Sequence, residues 1–459
     1  MSTTRQRLER LIPEPTRRPR RDDSLGKLEK ELLGDDADPG RELSLKQRLE
    51  RLVAVAATRP RIERQSPPRW VEREIVALDR AVEGSVITND AGSFYCVDRR
   101  LPLAHHHGKM ELRRLEDVSP SAFSVLARDR DELAIDLERA LFVDTETTGL
   151  AGGSGTYAFL IGLGFIQDGA FVVRQLFMRS YEEEAAMLAF FAPMLADYDV
   201  LVSYNGKSFD VPLLESRFVL SRQSIDFTEI LHFDLLHPAR SLWKARFESC
   251  RLAELESLLL GLERENDVPG YLIPDIYFRF VRTGDASRLP YVFRHNHDDI
   301  LSLAALTVAA CDMLDEDSAP DHPLDDFSLG RLFARAGDAE RSERHYVRAV
   351  ESGLGGHARR RSLRGLAELH KRRGEWDEAR RLWQELAEEG GADGLVALKE
   401  LAMDAEHRAR DLESALGHCH RALESLESGL ELPPGVRQRW RDELGHRRRR
   451  LERRLAQPT

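Results

Sequence analysis

The segment Leu141-Phe142-Val143-Asp144-Thr145-Glu146-Thr147-Thr148-Gly149-Leu150 closes an apolar run with two carboxylates. Apolar residues followed by turn formers read as a short buried strand. Asp144 and Glu146, one residue apart on a strand, point to the same face. Burying two like charges there is costly unless cations neutralise them. Hard divalent ions such as Mg²⁺ or Mn²⁺, held by few carboxylates and sharing substrate phosphates, meet that need. The plainer alternative is a strand end running into an Asp/Thr-rich turn, with Glu146 solvated.

Around this strand, residues 138–315 alternate apolar strands with amphipathic helices. Ala158–Ile166 and Ala170–Met178 are separated by Gln167-Asp168-Gly169, a hairpin signal. Glu182–Asp197 is predicted helical with an acidic first turn. Val200–Tyr204 is a further strand, and helices are predicted at Val211–Leu220, Leu252–Gly261, Pro274–Val281 and Val292–Leu314. A hairpin followed by α/β crossovers predicts a mixed sheet with helices on its faces. Residues 66–137 read as a small β-rich lead-in that packs on this domain. Residues 1–65 are charged and Pro-punctuated, a tail or linker with room for a short helix over Leu43–Ala56.

Beyond the linker at Asp315–Pro320, residues 326–459 turn all-helical. Gly337-Asp338-Ala339-Glu340, Gly374-Glu375-Trp376-Asp377 and Arg410-Asp411-Leu412-Glu413 recur at offsets of 37 and 36 residues. That spacing is close to the tetratricopeptide period of about 34 with longer loops; irregular helical packing is the alternative. Val436–Leu455 holds nine arginines against three acids. It suits a nucleic-acid or protein contact, but a solvated capping helix is the preferred reading.

The 459 residues suffice for two or three domains. No apolar run reaches membrane-spanning length, and Met1–Arg21 lacks the apolar core of a signal peptide. Cys96, Cys250, Cys311 and Cys419 are widely spaced, which fits reduced thiols and a cytoplasmic location. A net charge of −11 argues on average against a nucleic-acid partner, although clustered site carboxylates contribute to it. Arginine outnumbers lysine 60 to 8, so only its clustering is informative.

Two further segments supply acids. Tyr204-Asn205-Gly206-Lys207-Ser208-Phe209-Asp210 follows a strand and opens a helix with Asp210 near its N-terminus; simple helix capping by Ser208 or Asp210 is the competing reading. In His295-Asn296-His297-Asp298-Asp299, His295 and Asp299 lie four apart and share a helix face. That face can present a carboxylate to a metal and an imidazole to a water, and a histidine of near-neutral pKa suits general-base work. His297 and Asp298 point elsewhere and read as solvated or locally paired.

Asp-x-Glu-Thr-Thr-Gly, then Asn-x-x-x-Phe-Asp, then His-x-x-x-Asp resemble the three motifs of the DEDD superfamily of 3′-to-5′ exonucleases, which have a ribonuclease-H-like fold. His232–Arg240, Ile273–Tyr277 and the His295-Asn296 pair make residues 70–312 similar to YprB-type proteins, which resemble the proofreading domain of family B DNA polymerases. A tetratricopeptide-like tail also accompanies such proteins. The resemblance implies an α/β ribonuclease-H-like domain with a mixed sheet flanked by helices, followed by an all-α helical-repeat domain. It implies two divalent cations: Asp144 bridging both, Glu146 and Asp299 completing one site, and Asp210 serving the second. Thr148, Gly149 and Leu150 match the segment that contacts the terminal nucleotide. One departure matters. Family members with a catalytic His place the final Asp five residues later, whereas this chain has His at the four-residue spacing of members with Tyr. The general base is thus open, with His295 first and His297 second.

Two ions about 3.5–4 Å apart can activate water and stabilise the leaving oxygen in an in-line attack on a phosphodiester. Lys207, Arg240, Lys244, Arg246 and Arg251 are candidates for phosphate contacts or ordinary solvated faces. Tyr204, with Asn205 beside it, and Phe209 are candidates for stacking on a base, although a phenylalanine at 209 is more often core. Asp234 and Asp275 read as structural, and His105-His106-His107 receives no metal role. The expected partners are a DNA or RNA strand end and a protein on the helical repeats, with no membrane. A haloacid-dehalogenase-like phosphotransferase is a weak competitor, since it needs Asp where Glu146 stands. A non-catalytic scaffold gains little from clustered carboxylates.

Overall fold

The computed structural model describes residues 75–127, 136–149, 155–315 and 320–457. The tail at 1–65 with its Leu43–Ala56 helix, Leu150 and most of the 315–320 linker lie outside the described residues. The strands are β1 (Ser85–Asn89), β2 (Gly92–Pro102), the two-residue β3 (His106–His107) and β4 (Met110–Glu111), β5 (Ala140–Thr147), β6 (Ala158–Gln167), β7 (Ala170–Phe177), β8 (Val200–Ser203) and β9 (Leu231–Asp234). Seven of them form one mixed sheet in the order β1-β2-β7-β6-β5-β8-β9. The pairs from β1 to β5 are antiparallel. β8 and β9 continue the sheet in parallel with β5. With helices on both faces, this is the ribonuclease-H-like fold.

Local sequence explains the pairing. Asp168 and Gly169 both adopt positive φ (49° and 69°), the backbone that a tight two-residue hairpin requires. Ala140 to Val143 of β5 are all buried, as an interior strand between β6 and β8 demands. The segment read as a lead-in gives β1 and β2 to this same sheet, with β2 pairing along β7. β9 was not expected. Its four residues, Leu-His-Phe-Asp, are too few for a periodic pattern to stand out.

The helices are α1 (Pro120–Ala127), α2 (Glu184–Leu195), α3 (Asp210–Leu220), α4 (Leu236–Trp243), α5 (Ile273–Thr283) and α6 (Leu289–Asp312). The predicted Leu252–Gly261 helix is a short α-turn, Leu252–Leu255, passing into a π-helical turn, Glu256–Leu260, ended by Gly261 at φ 67°. α6 lies unusually close to the sheet, and glycines make that approach possible. A Cβ on Gly164 would sit 2.5 Å from Ile300 Cγ2, and one on Gly162 2.2 Å from Asn296 Oδ1. Asn296 and Ile300 are one helical turn apart, so the two glycines of β6 form the bed for one face of α6.

The all-helical region comprises α7 (Pro323–Ala336), α8 (Ala339–Glu351), α9 (Gly356–Arg373), α10 (Trp376–Glu389), α11 (Gly391–Asp404), α12 (Leu412–Glu427) and α13 (Pro434–Leu455). Each helix packs on the next, and α7 also meets α9, as α9 meets α11. Leu329, Leu332 and Phe333 of α7 join the apolar core that contains Leu242 and Trp243 of α4. Arg246 forms an ion pair with the buried Asp325 at 2.7 Å, so it ties the helical region to the α/β domain. The arginine run of α13 is partly structural as well. Arg447, Arg450 and Arg454 converge on the buried Glu406 at 2.7, 2.6 and 3.1 Å. Among the described residues no helix is long and apolar enough to cross a membrane, and all four cysteines are free and buried.

Candidate active site

The candidate site lies where β5 and β8 end, the usual position for function in a sheet with parallel strands. The β5–β6 register shifts between Glu146 and Thr147, a local irregularity of the kind that re-aims side chains beside sites. Asp144, Gly162 and Gln175 face one another in a row across β5, β6 and β7. The bare Gly162 leaves a trough in that row, and the wholly buried Asn296 fills it. Asn296 Nδ2 donates to Asp144 Oδ2 at 2.8 Å, and Gln175 Nε2 donates to Asn296 Oδ1 at 2.9 Å. Gln175 is itself anchored on the Phe293 carbonyl at 2.7 Å. This chain of amides fixes the Asp144 carboxylate from behind.

On the neighbouring row of the same helix, His295 and Asp299, four residues apart, reach Glu146. One ligand atom each from Glu146, His295 and Asp299 lies within 4.8 Å of the other two. His295 Nε2 is 3.5 Å from Asp299 Oδ2 and 3.9 Å from Glu146 Oε1. Its other nitrogen, Nδ1, is 2.8 Å from Asp267 Oδ1. With the carboxylate accepting, Nδ1 carries the hydrogen and Nε2 keeps its lone pair toward the cluster. Arg264 binds Asp299, Glu256 and Asp267 together. Burial works against its charge, but Asp299 and Glu256 outweigh it and raise its pKa.

The electrostatics follow from the crowding. Burial, then the charges of Asp299 and Asp210, pushes the Asp144 carboxyl well above the usual range, against the Asn296 hydrogen bond and Arg264. Burial, then Asp144 and Asp299, does the same to Glu146. Glu146 Oε1 is buried without a hydrogen-bond donor. An orphaned carboxylate oxygen facing a second carboxylate and an imidazole nitrogen fits a divalent cation.

Asp210 opens α3 and accepts from Thr145 Oγ1. It and Asp144 stand outside the tight Glu146–His295–Asp299 group, yet near enough for Asp210 to raise the Asp144 pKa. Burial lifts the Asp210 carboxyl to about 6, with the Thr145 bonds opposing. The folded state then holds the proton more tightly than an unfolded Asp of pKa about 3.9. The stability tied to this group is therefore highest at low pH and falls as pH rises through about 4 to 6. In metal-free protein, Asp210→Asn should raise the calorimetric unfolding midpoint at about pH 7 and leave it unchanged near pH 4. Equal shifts at both pH values would count against a buried charge here.

The loop before Asp210 is shaped by Asp234, buried at the end of β9. It accepts from the backbone N–H of Asn205, Lys207 and Leu236 at 2.7, 3.1 and 3.1 Å. Asn205 takes a left-handed backbone, φ 64°, and the two candidate stacking rings on either side of it part company. Tyr204 packs against the core with its hydroxyl on the Cys250 carbonyl, so its ring is not presented to a base. Phe209 is 47 % exposed beside Asp210. Lys207 is exposed. Lys244 Nζ donates to the Glu248 carbonyl, while Arg240 and Arg251 are exposed. Thr148 exchanges hydrogen bonds with the Tyr157 backbone at 2.9 Å each, and the Gly149 carbonyl accepts from Thr147 Oγ1.

The remaining histidines sit apart. His107 is buried, its Nε2 2.7 Å from Ser302 Oγ, and burial lowers its pKa to about 4. His297 Nδ1 meets Asp298 Oδ1 at 3.1 Å rather than the Glu146 cluster. Sequence reasoning missed Asp267, Arg264, Gln175 and the purpose of Gly162. The usable signals were a glutamine inside the apolar run of β7 and glycines two apart in β6.

The uncharacterized protein YprB of Bacillus subtilis (strain 168) is 32 % identical over 337 residues, covering 72 % of this chain and 80 % of that protein. The chain belongs to the YprB family. The RNase_H superfamily also matches residues 141–311, a span containing every acid and histidine of the cluster. Among solved structures, the family B DNA polymerase of Pyrobaculum calidifontis is similar at 16 % identity and a TM-score of 0.32. That likeness covers 45 % of this chain and 29 % of the polymerase chain, too distant to bear on the site. For this YprB-family chain, the ribonuclease-H match and the carboxylate cluster together support a hydrolase of the nuclease type.

Proposed function

We propose that this protein is a metal-dependent 3′-to-5′ exonuclease of the DEDD type, acting on single-stranded DNA or RNA in the cytoplasm. The observation that carries the reading is the convergence of Glu146, His295 and Asp299 at the end of β5, with Glu146 Oε1 buried and lacking a donor. Asp144, Glu146, Asp210 and Asp299 would hold two divalent cations, Mg²⁺ or Mn²⁺, which supply a nucleophile at neutral pH and stabilise the leaving oxygen. His295 presents Nε2 to the cluster while Asp267 holds Nδ1, the arrangement of a base that takes a proton from water. Arg264 holds Asp299 and the His295–Asp267 pair in one frame. Helices α7–α13 are read as tetratricopeptide-like repeats that engage a protein partner.

Phe209 offers an exposed ring next to Asp210, suited to stacking on a terminal base. Phe209→Ala should raise KM about ten-fold with kcat little changed, since stacking is worth roughly 1–3 kcal/mol; a fall in kcat alone would contradict that role. The overall reading is tested by incubating the protein with 3′- and 5′-labelled DNA and RNA oligonucleotides plus Mn²⁺ or Mg²⁺. Stepwise shortening from the 3′ end is expected. No digestion of any substrate with either metal would overturn it.

A further inference from the structure

A groove of about 590 Å³ opens beside the cluster, between the Asn266–Pro269 loop, α5 and the start of α6. Asp267, the residue that holds His295 Nδ1, lines it, so the groove and the cluster share a residue. Along α6, Tyr291 lies one turn before His295 and on the same side. Tyr291 is 47 % exposed and Leu272, which also lines the groove, 38 %. The rim carries Arg279, Arg282 and Arg288. Arg279 is committed to Asp285. Among the described residues Arg282 bonds a backbone carbonyl, that of Phe278, and makes no ion pair, and neither does Arg288. An exposed aromatic face flanked by uncommitted guanidinium groups stands out on a chain of net charge −11. Aromatic platforms beside arginines are what a single-stranded nucleic acid uses, stacking bases and neutralising phosphates without reading sequence. The volume falls within the range of sites that enclose a small ligand or a nucleotide-sized group.

We propose that this groove carries the single strand behind its 3′-terminal nucleotide, with one base stacked on Tyr291 and phosphates on Arg288 and Arg282. The inference rests on the nuclease reading for its ligand class, but the groove is tested by binding, without turnover. Full-length protein carrying Asp144→Asn is titrated into 5′-fluorescein-labelled 12-mers of DNA and RNA in Mg²⁺, and anisotropy is read at several salt concentrations. Adding Tyr291→Ala should weaken binding about ten-fold, whereas adding Tyr291→Phe, which keeps the ring, should match the parent. Adding Arg288→Ala should lower the magnitude of the salt slope by about 0.7, the value for one single-strand phosphate contact. Circular dichroism checks that each variant is folded; the exposed positions of Tyr291 and Arg288 favour that. Binding by Tyr291→Ala within two-fold of the parent overturns the groove, even if the wild-type protein digests oligonucleotides. Tyr291-dependent binding by a wild-type protein that digests nothing would leave the groove standing and remove the exonuclease.

Discussion

Asp144→Asn is expected to remove phosphodiester hydrolysis, by about a thousand-fold or more, while making the metal-free protein more stable. The two effects have one cause. Burial, with the charges of Asp299 and Asp210, holds the Asp144 carboxyl well above the usual range. A group with a folded pKa raised in this way binds more protons folded than unfolded, so its charge costs stability increasingly as pH rises above the unfolded value. Asparagine keeps the shape and still offers an oxygen to Asn296 Nδ2, but removes the charge. The metal-free unfolding midpoint should therefore rise at about pH 7. Adding Mg²⁺ should reverse the order: the wild-type protein gains stability by mass action from binding, and the variant gains much less. The activity loss follows from losing charge stabilisation worth several kcal/mol, with about 1.4 kcal/mol for each factor of ten. Calorimetry with and without Mg²⁺, beside an oligonucleotide digestion assay, checks both signs. A variant that digests like wild type would sink the mechanism.

What the sequence made legible, and what it hid, divides along physical lines. Period-2 and period-4 relations are local, so Asp144 with Glu146 on β5 and His295 with Asp299 on α6 were readable from spacing alone. Asp267 and Arg264 lie in a loop without periodicity, 28 and 35 residues from the partners they bind. No spacing rule links such positions. Sequence left both Tyr204 and Phe209 open as stacking rings; only the fold, with Tyr204 packed on the core and Phe209 exposed, separates them. The four-residue spacing of His295 and Asp299 looked like a departure from a histidine-type site. The structure places both on one face with Nε2 toward Glu146. The arginines of α13 illustrate the opposite limit: their charge suggested an exposed face, yet three of them neutralise the buried Glu406.

Gly162→Ala is expected to be the most damaging conservative change outside the acids, although Gly162 has no side chain and merely pairs with Asp144 across the sheet. The added Cβ would lie 2.2 Å from Asn296 Oδ1, 2.6 Å from Nδ2 and 2.7 Å from Cγ. The Asn296 amide cannot swing aside cheaply. Gln175 holds its oxygen, Asp144 holds its nitrogen, and the residue is fully buried. Either both hydrogen bonds break or α6 lifts off β6, where Gly164 and Ile300 are already in contact one turn on. Overpacking costs about 1–3 kcal/mol and stranding a buried polar partner about 1–3 kcal/mol more. A loss of roughly 2–6 kcal/mol should appear as a clear drop in the unfolding midpoint. Because α6 carries His295 and Asp299, a displacement near 1 Å would also cost on the order of 100-fold in turnover. Gly417→Ala is the contrast: it lies within α12 with nothing within 4 Å of its added Cβ, so the same substitution should stabilise by up to about 1 kcal/mol. The double variant Gly162→Ala/Asn296→Ala separates the two consequences. Relieving the clash should return part of the lost stability, a non-additive result for contacting residues, while activity stays low because Asp144 has lost its amide donor. Gly162→Ala with unchanged midpoint and full turnover would mean that α6 is not seated by this glycine.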